Sequence, residues 1–288
     1  MDVRLVRSVV REALREDVGE GDITTFFCIS PRRKTKAVIF VKQPGVLCGI
    51  EVAREVFRVV DAQLKFRILK KDGHTMKKGD HIAYVSGRAG SILTAERVAL
   101  NFLSLLSGVS SYTRQFVNQL KGTKAKIMDT RKTTPTLRAL EKYAVRVGGG
   151  HNHRFGLWDA ILIKDNHLRV SDIIKKKKFD EENFAKIVTM IRKNTKYKIE
   201  VEVENLNEYK KIIRHYPDII LLDNFTLANL RKAVVMRDAS YPAVFLEASG
   251  GVTLHNARRI AQTGVDFISS GSITHSPQST DFSLEIDE

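Results

Sequence analysis

Ile199-Glu200-Val201-Glu202-Val203, followed at 206–215 by an amphipathic stretch, opens the run of sequence that decides the fold. The pattern repeats as 219–222 and then 227–237, 243–247 and then 254–263, with Phe267 to Ser269 closing the series. Short apolar runs alternating with apolar residues at helical spacing predict βα units and a parallel sheet. Glu202, Asp223, Ser249 and Gly271 recur at intervals of 21, 26 and 22 residues, each at or near the C-terminal end of its strand. That end is where parallel α/β barrels keep their reactive groups.

Upstream, apolar runs at Lys126 to Met128, 144–147 and 160–163 read as further strands. The total is about seven, short of the eight that close a TIM barrel, so the sequence predicts an open or irregular α/β barrel. A different pattern precedes it. Residues 3–16 place Val6, Val9, Val10, Ala13 and Leu14 at helical spacing before a Gly19-Glu20-Gly21-Asp22 turn. Strand-like runs at 37–41, 65–69 and 81–85, turns at Pro44-Gly45, Asp72-Gly73 and Lys78-Gly79-Asp80, and a helical stretch at 51–60 then predict an α+β sandwich. Thr94 is read as the N-cap of an apolar helix starting at Ala95, with Val98, Ala99, Phe102, Leu103 and Leu106 as its stripe. The domain boundary is placed there: 1–100 the sandwich, 101–276 the barrel.

The 288 residues carry 48 Lys plus Arg against 33 Asp plus Glu, a formal charge of +15 that points to anionic partners. The longest basic run, Lys175 to Lys178, has no interleaved aromatic residue and reads as a solvated loop rather than a nucleic-acid grip. No RNA-binding motif accompanies it, so no nucleic-acid partner is expected. Cys28 and Cys48 are the only cysteines and form no CxxC, which argues against a disulfide framework or thiolate zinc and for a reducing, cytoplasmic setting. No apolar run approaches the ~20 residues that span a bilayer, so no membrane partner is expected.

Arg131, Lys132, His153, Arg154 and Lys164 fall within 34 residues around a Gly148-Gly149-Gly150 turn, with Lys164 where a strand gives way to a loop. Guanidinium forks together with mobile ammonium groups suit a small ligand bearing more than one carboxylate or phosphate. His151-Asn152-His153 lacks a third ligand and does not make a zinc shell. Phe155 and Trp158 are read as core packing. A Schiff-base aldolase is a competing reading, because Lys164 ends an apolar strand among other cations. It gives no reason for the Arg131-Lys132 pair.

Three motifs in one order, Asp129-Thr130-Arg131-Lys132-Thr133-Thr134-Pro135, Gly148-Gly149-Gly150-His151-Asn152-His153-Arg154 and Ile163-Lys164-Asp165-Asn166-His167, resemble the quinolinate phosphoribosyltransferase family. The resemblance runs from Glu16-Asp17-Val18-Gly19-Glu20-Gly21-Asp22 through Asp281-Phe282-Ser283-Leu284. It implies phosphoribosyl transfer to quinolinate with loss of CO2, on the same barrel, with residues 277–288 returning to the N-terminal sandwich. It implies that Arg131, His153, Arg154 and Lys164 hold the two quinolinate carboxylates, with Arg97 entering from a second subunit of a homodimer. For phosphoribosyl pyrophosphate it implies Lys132, Ser249, Gly250, Gly271 and His275, the Ser/Gly turns offering backbone N–H groups to phosphate. Glu202 and Asp223 become the catalytic carboxylates and the residues nearest Mg²⁺, directly or through water. Glu200 and Glu204 share the phase of Glu202, so alternation alone leaves three candidates for that position. A nicotinate-specific transferase and a homologue associated with molybdenum transport are the alternatives on this fold. Ser269-Ser270-Gly271-Ser272 is more polar than the family pattern suggests.

Overall fold

In the computed structural model the described residues are 2–175 and 178–287. They form two compact units, one built from the chain up to Arg114, Thr133–Gly149 and Ile273 onward, the other from Gln115–Lys132 and Gly150–Ser272. The division thus falls later than residue 100 and assigns 133–149 to the first unit.

The chain begins with α1 (Val3–Val18), α2 (Ile23–Cys28), β1 (Lys34–Val41), β2 (Gly45–Val46), α3 (Ile50–Val60), β3 (Lys65–Ile68), β4 (Thr75–Met76), β5 (His81–Arg88) and α4 (Ala89–Gln119). It continues through β6 (Lys126–Met128), α5 (Arg138–Gly148), β7 (Ile161–Ile163), α6 (Asp165–Val170), β8 (Ile174–Lys175), β9 (Lys178–Phe179) and α7 (Glu181–Asn194). The regular part is β10 (Ile199–Val203), α8 (Leu206–Ile212), β11 (Ile219–Asp223), α9 (Leu227–Ser240), β12 (Phe245–Ser249), α10 (Leu254–Ala261) and β13 (Phe267–Ser269), before α11 (Ser272–His275) and β14 (Phe282–Asp287).

In the first unit an antiparallel sheet runs β14-β1-β5-β3. The last strand pairs along the whole of β1, from Phe282 opposite Val41 to Asp287 opposite Lys36. Its inner face buries Ala37, Ile39 and Val41 at the strand period of two. Helix α1 starts where the Asp2 carboxylate accepts the Arg4 N–H, and it buries Val6, Val10 and Leu14 at i, i+4 and i+8. Each such side chain contributes about 1.5–3 kcal/mol of burial. Thr94 does not cap a helix: α4 begins at Ala89, and the Thr94 hydroxyl instead donates to Asp22, whose carboxylate caps α2. Helix α4 has the length and apolar content of a membrane span. Its Ile92, Val98, Ala99, Phe102, Leu103, Leu106 and Val109 are nevertheless buried inside the protein, as in a core helix.

The second unit is built on a parallel sheet of six strands in the order β6-β13-β12-β11-β10-β7, with helices between strands. Residues 144–147, expected as a strand, lie in α5. The reason is periodicity read over too short a window. Leu140, Ala144, Val145 and Gly148 are buried at helical spacing, and Gly149 ends the helix in the left-handed conformation at φ 94°. Gly148 is required by close approach, since a Cβ there would lie 2.5 Å from the Ser110 carbonyl oxygen. The seventh position of the sheet is taken by a single bridge, His151 beside Met128. Lys175 and Lys178 end the short antiparallel pair β8–β9; the two lysines between them, part of the run expected as a solvated loop, lie outside the described residues.

Candidate active site at the strand ends

Parallel pairing sets the C-terminal ends of β7, β10, β11, β12, β13 and β6 side by side, and the chemistry-bearing residues sit there. Glu202 pairs in register with Leu221, and Asp223 with Ser249. Strand β10 turns Ile199, Val201 and Val203 to one face and Glu200 and Glu202 to the other, a direct result of the strand period. The three glutamates in that phase meet three different bases. Glu200 is buried against His153 Nε2 at 3.0 Å, Glu202 takes the Lys164 ammonium at 2.5 Å, and exposed Glu204 meets Arg169 at 3.4 Å. Burial and partner therefore separate residues that the alternating sequence left equivalent.

Lys164 follows β7 directly and is partly exposed. An ammonium bound to a carboxylate at this distance is the opposite of the desolvated free amine a Schiff-base aldolase needs. Arg154 donates from Nη1 to the Ala160 carbonyl. Its guanidinium is shifted below the ordinary arginine range, first by burial and then by the positive charge of Arg131, with Glu200 opposing. Two guanidiniums close enough to disfavour one another mark a place where an anion is welcome. Lys132 is exposed beside them, its backbone N–H held by the Thr130 hydroxyl.

The segment carrying His153 and Arg154 is tied to the end of β6 by Asp129, which is fully buried. Its carboxylate accepts the His153 N–H at 2.9 Å and the Asn152 side-chain amide at 2.5 Å. The His153 ring is turned inward, with its side chain 10% exposed and Nδ1 accepting the Arg154 N–H at 2.8 Å. Behind it Glu247 on β12 is wholly buried, 3.7 Å from His153 Nε2, and neither of its oxygens has a hydrogen-bond partner among the described residues. Burial, followed by the charge of Glu200, pushes the Glu247 carboxyl up to about 8. A metal ion could also be held by His153, Glu200 and Glu247, whose ligand atoms lie within 4.8 Å of one another.

At the ends of β12 and β13 the Ser269 hydroxyl donates to Ser249 at 3.0 Å, and the Ser270 hydroxyl donates to the Val252 carbonyl. Gly250 and Gly251 both adopt the left-handed region, at φ 86° and 57°. A Cβ on Gly250 would meet Asn224 Oδ1 at 2.3 Å, so only glycine fits. Among the described residues nothing accepts the N–H groups of Gly250 and Gly251, which suits them to a phosphate.

The structure thus brings Arg131, Lys132, His153, Arg154, Lys164, Glu202, Asp223, Ser249, Gly250 and Gly271 into one unit. Arg97, exposed on α4, and His275, at the end of α11 with Nδ1 2.6 Å from the Ser276 hydroxyl, belong to the other. Phe155 and Trp158 are not core residues: they are 38% and 70% exposed, with ring centroids 6.1 Å apart. They follow the glycine-rich turn in the segment between His151 and β7. Sequence reasoning missed Asp129 as an anchor, Asn224 as the neighbour that fixes Gly250, and the buried Glu247. Only Asp129, as the first residue of its motif, left a signal.

Comparison with known proteins agrees with this geometry. The quinolinate phosphoribosyl transferase C-terminal domain model matches residues 109–285 and the N-terminal domain model residues 22–107. The probable nicotinate-nucleotide pyrophosphorylase [carboxylating] of Synechocystis is 40% identical over 96% of this chain and 91% of its own. The nicotinate-nucleotide pyrophosphorylase [carboxylating] of Mycobacterium leprae is 39% identical over 97% and 96%. The solved nicotinate-nucleotide pyrophosphorylase of Francisella tularensis superposes with a TM-score of 0.90 at 38% identity, covering 100% of this chain and 98% of that one.

Proposed function

Because the chain belongs to the quinolinate phosphoribosyltransferase family, it transfers phosphoribose from phosphoribosyl pyrophosphate to quinolinate with decarboxylation, in de novo NAD synthesis, and we propose the following division of labour among its residues. Arg131, Arg154 and Lys164 hold the two ring carboxylates, with Arg97 supplied by a second subunit of a homodimer. The single observation that carries this is that Arg131, the part-buried Arg154 and Lys164 belong to one unit at the strand ends, where the positive charge of Arg131 acts on the Arg154 guanidinium. Charge-assisted forks of this kind fix a carboxylate in both distance and angle.

Gly250, Gly271 and Ser249 receive the 5′-phosphate, with His275 nearby, and Lys132 holds the pyrophosphate as it leaves. The pyridine nitrogen attacks the anomeric carbon, the C–O bond to pyrophosphate breaks, and Glu202 and Asp223 stabilise the positive charge that develops on the ribose ring. N-ribosylation makes the pyridine ring cationic, so the electron pair released with CO2 from the 2-carboxylate is accommodated at the adjacent ring carbon until a proton replaces it. Most of the rate enhancement is positioning and electrostatics. Glu202 and Asp223, hard oxygen donors on adjacent strand ends, fit Mg²⁺, which when bound neutralises pyrophosphate charge. Since Lys164 already occupies one oxygen of Glu202, contact through its other oxygen or through water suits this site best. The free state of Cys28 and Cys48 supports a reducing, cytoplasmic compartment.

The test is release of CO2 and pyrophosphate from quinolinate, phosphoribosyl pyrophosphate and Mg²⁺, with nicotinate in parallel. Turnover of quinolinate alone is expected. Turnover of nicotinate at a comparable rate would overturn the assignment of the cations to two carboxylates.

A further inference from the structure

Asn224 follows the last residue of β11 and stands in the left-handed region at φ 55°, a conformation taken readily by glycine and, among residues with a side chain, chiefly by asparagine and aspartate. Three contacts surround it. Its backbone N–H donates to the Ser249 carbonyl at 2.9 Å, which carries the β11–β12 pairing one residue past Asp223. Its side-chain amide nitrogen donates to Asp223 Oδ2 at 2.8 Å. Its Oδ1 lies against Gly250, where a Cβ would come within 2.3 Å of it. A carboxylate needs a donor, so the bond to Asp223 also fixes which end of the amide faces Gly250.

Glycine at 250 is therefore required by its neighbour as much as by its own φ of 86°. On the far side of the same turn the Asn256 side chain donates to the Gly251 carbonyl at 2.9 Å, so the turn is tied at both ends. Residue type matters at 224. Glycine would supply the left-handed backbone and no donor, aspartate the backbone and a second negative charge beside Asp223, and alanine neither backbone nor donor. Among the described residues no other hydrogen bond reaches the Asp223 carboxylate, so without the amide that side chain would exchange between rotamers. We propose that Asn224 is a positioning residue: its amide, seated on Gly250, fixes the Asp223 carboxylate with Oδ2 engaged and Oδ1 turned free for phosphoribosyl pyrophosphate and Mg²⁺. This rests on the assignment of Asp223 to that substrate and metal, and goes beyond it by naming the residue that aims the carboxylate.

Calorimetric titration with phosphoribosyl pyrophosphate and Mg²⁺, in the absence of quinolinate, tests this as a double-mutant cycle on Asn224→Gly and Asp223→Ala. Glycine keeps the left-handed backbone, so Asn224→Gly removes the amide alone. It is expected to weaken binding about five- to tenfold when Asp223 is present and less than about twofold when Asp223 is already alanine, with quinolinate affinity held within about twofold of wild type. An equal loss in both backgrounds marks a merely structural role and overturns the proposal, as does no loss in the first. If the wild-type protein does not bind phosphoribosyl pyrophosphate, the functional reading fails and crystal structures of wild type and Asn224→Gly decide the positioning role. A displaced Asp223 carboxylate in the variant supports it, and an unmoved one overturns it.

Discussion

Replacing Glu247 with glutamine tests the buried pair by its effect on stability. The wild-type carboxyl is wholly buried and stays protonated to about pH 8, against an ordinary value of 4.5, because burial and then Glu200 oppose its ionisation. The unfolded chain releases that proton near pH 4.5, so between these values the folded state binds more protons and stability falls as pH rises. The slope is about 1.4 kcal/mol per pH unit, which amounts to about 3 kcal/mol by pH 7 and about 5 kcal/mol above pH 8. Glutamine has the same shape and does not titrate. Glu247→Gln should therefore gain on the wild type progressively from pH 5 to 8, whatever constant offset the amide introduces. Urea unfolding followed by circular dichroism, at fixed protein concentration and at each pH, measures the difference directly. If the two curves keep a constant separation from pH 5 to 8, Glu247 ionises alike in both states and the account of the pair is wrong.

Lys164→Ala removes a cation and leaves Glu202 half-buried without its ammonium; kcat/KM for quinolinate should fall by about 10²- to 10³-fold, read in initial-rate assays. Gly250→Ala places a methyl 2.3 Å from Asn224 Oδ1 at φ 86°, costing about 1–3 kcal/mol of local strain; the KM for phosphoribosyl pyrophosphate should rise while quinolinate affinity, measured by calorimetry, holds. Mixing Arg97→Ala with Lys164→Ala subunits should recover part of the activity each lacks alone, and no recovery would count against a site shared between subunits. Chelation with EDTA should abolish turnover, with Mg²⁺ restoring it, yet leave quinolinate binding measurable, because the carboxylate contacts are made by arginine and lysine.

The βα order from Ile199 to Ser269 was legible because each strand is a short apolar run and each helix a separate amphipathic one, so the two periods do not overlap. The run at 144–147 was misread for the converse reason. Four apolar-rich residues contain one helical turn or two strand repeats equally well, and only Leu140 and the Gly149 cap, outside the window, distinguish them. Thr94 looked like a cap because threonine before an apolar stripe usually is one. In the fold its hydroxyl reaches back 72 residues to Asp22, a partner no local reading supplies.

The same distinction governs the site. Its charged outer members announced themselves by clustering, since cations packed among glycines and apolar strands need a reason. Glu247 did not, because a single glutamate in Phe245-Leu246-Glu247-Ala248-Ser249 looks like any strand-end acid. What makes it unusual is its surroundings: complete burial, with Glu200 and the His153 ring beside it. A neutral carboxyl beneath a cationic pocket has a physical use there. Protonated, it adds no second negative charge beside Glu200, the carboxylate that already opposes the effect of Arg131 on Arg154 at the strand ends where the quinolinate carboxylates are proposed to sit.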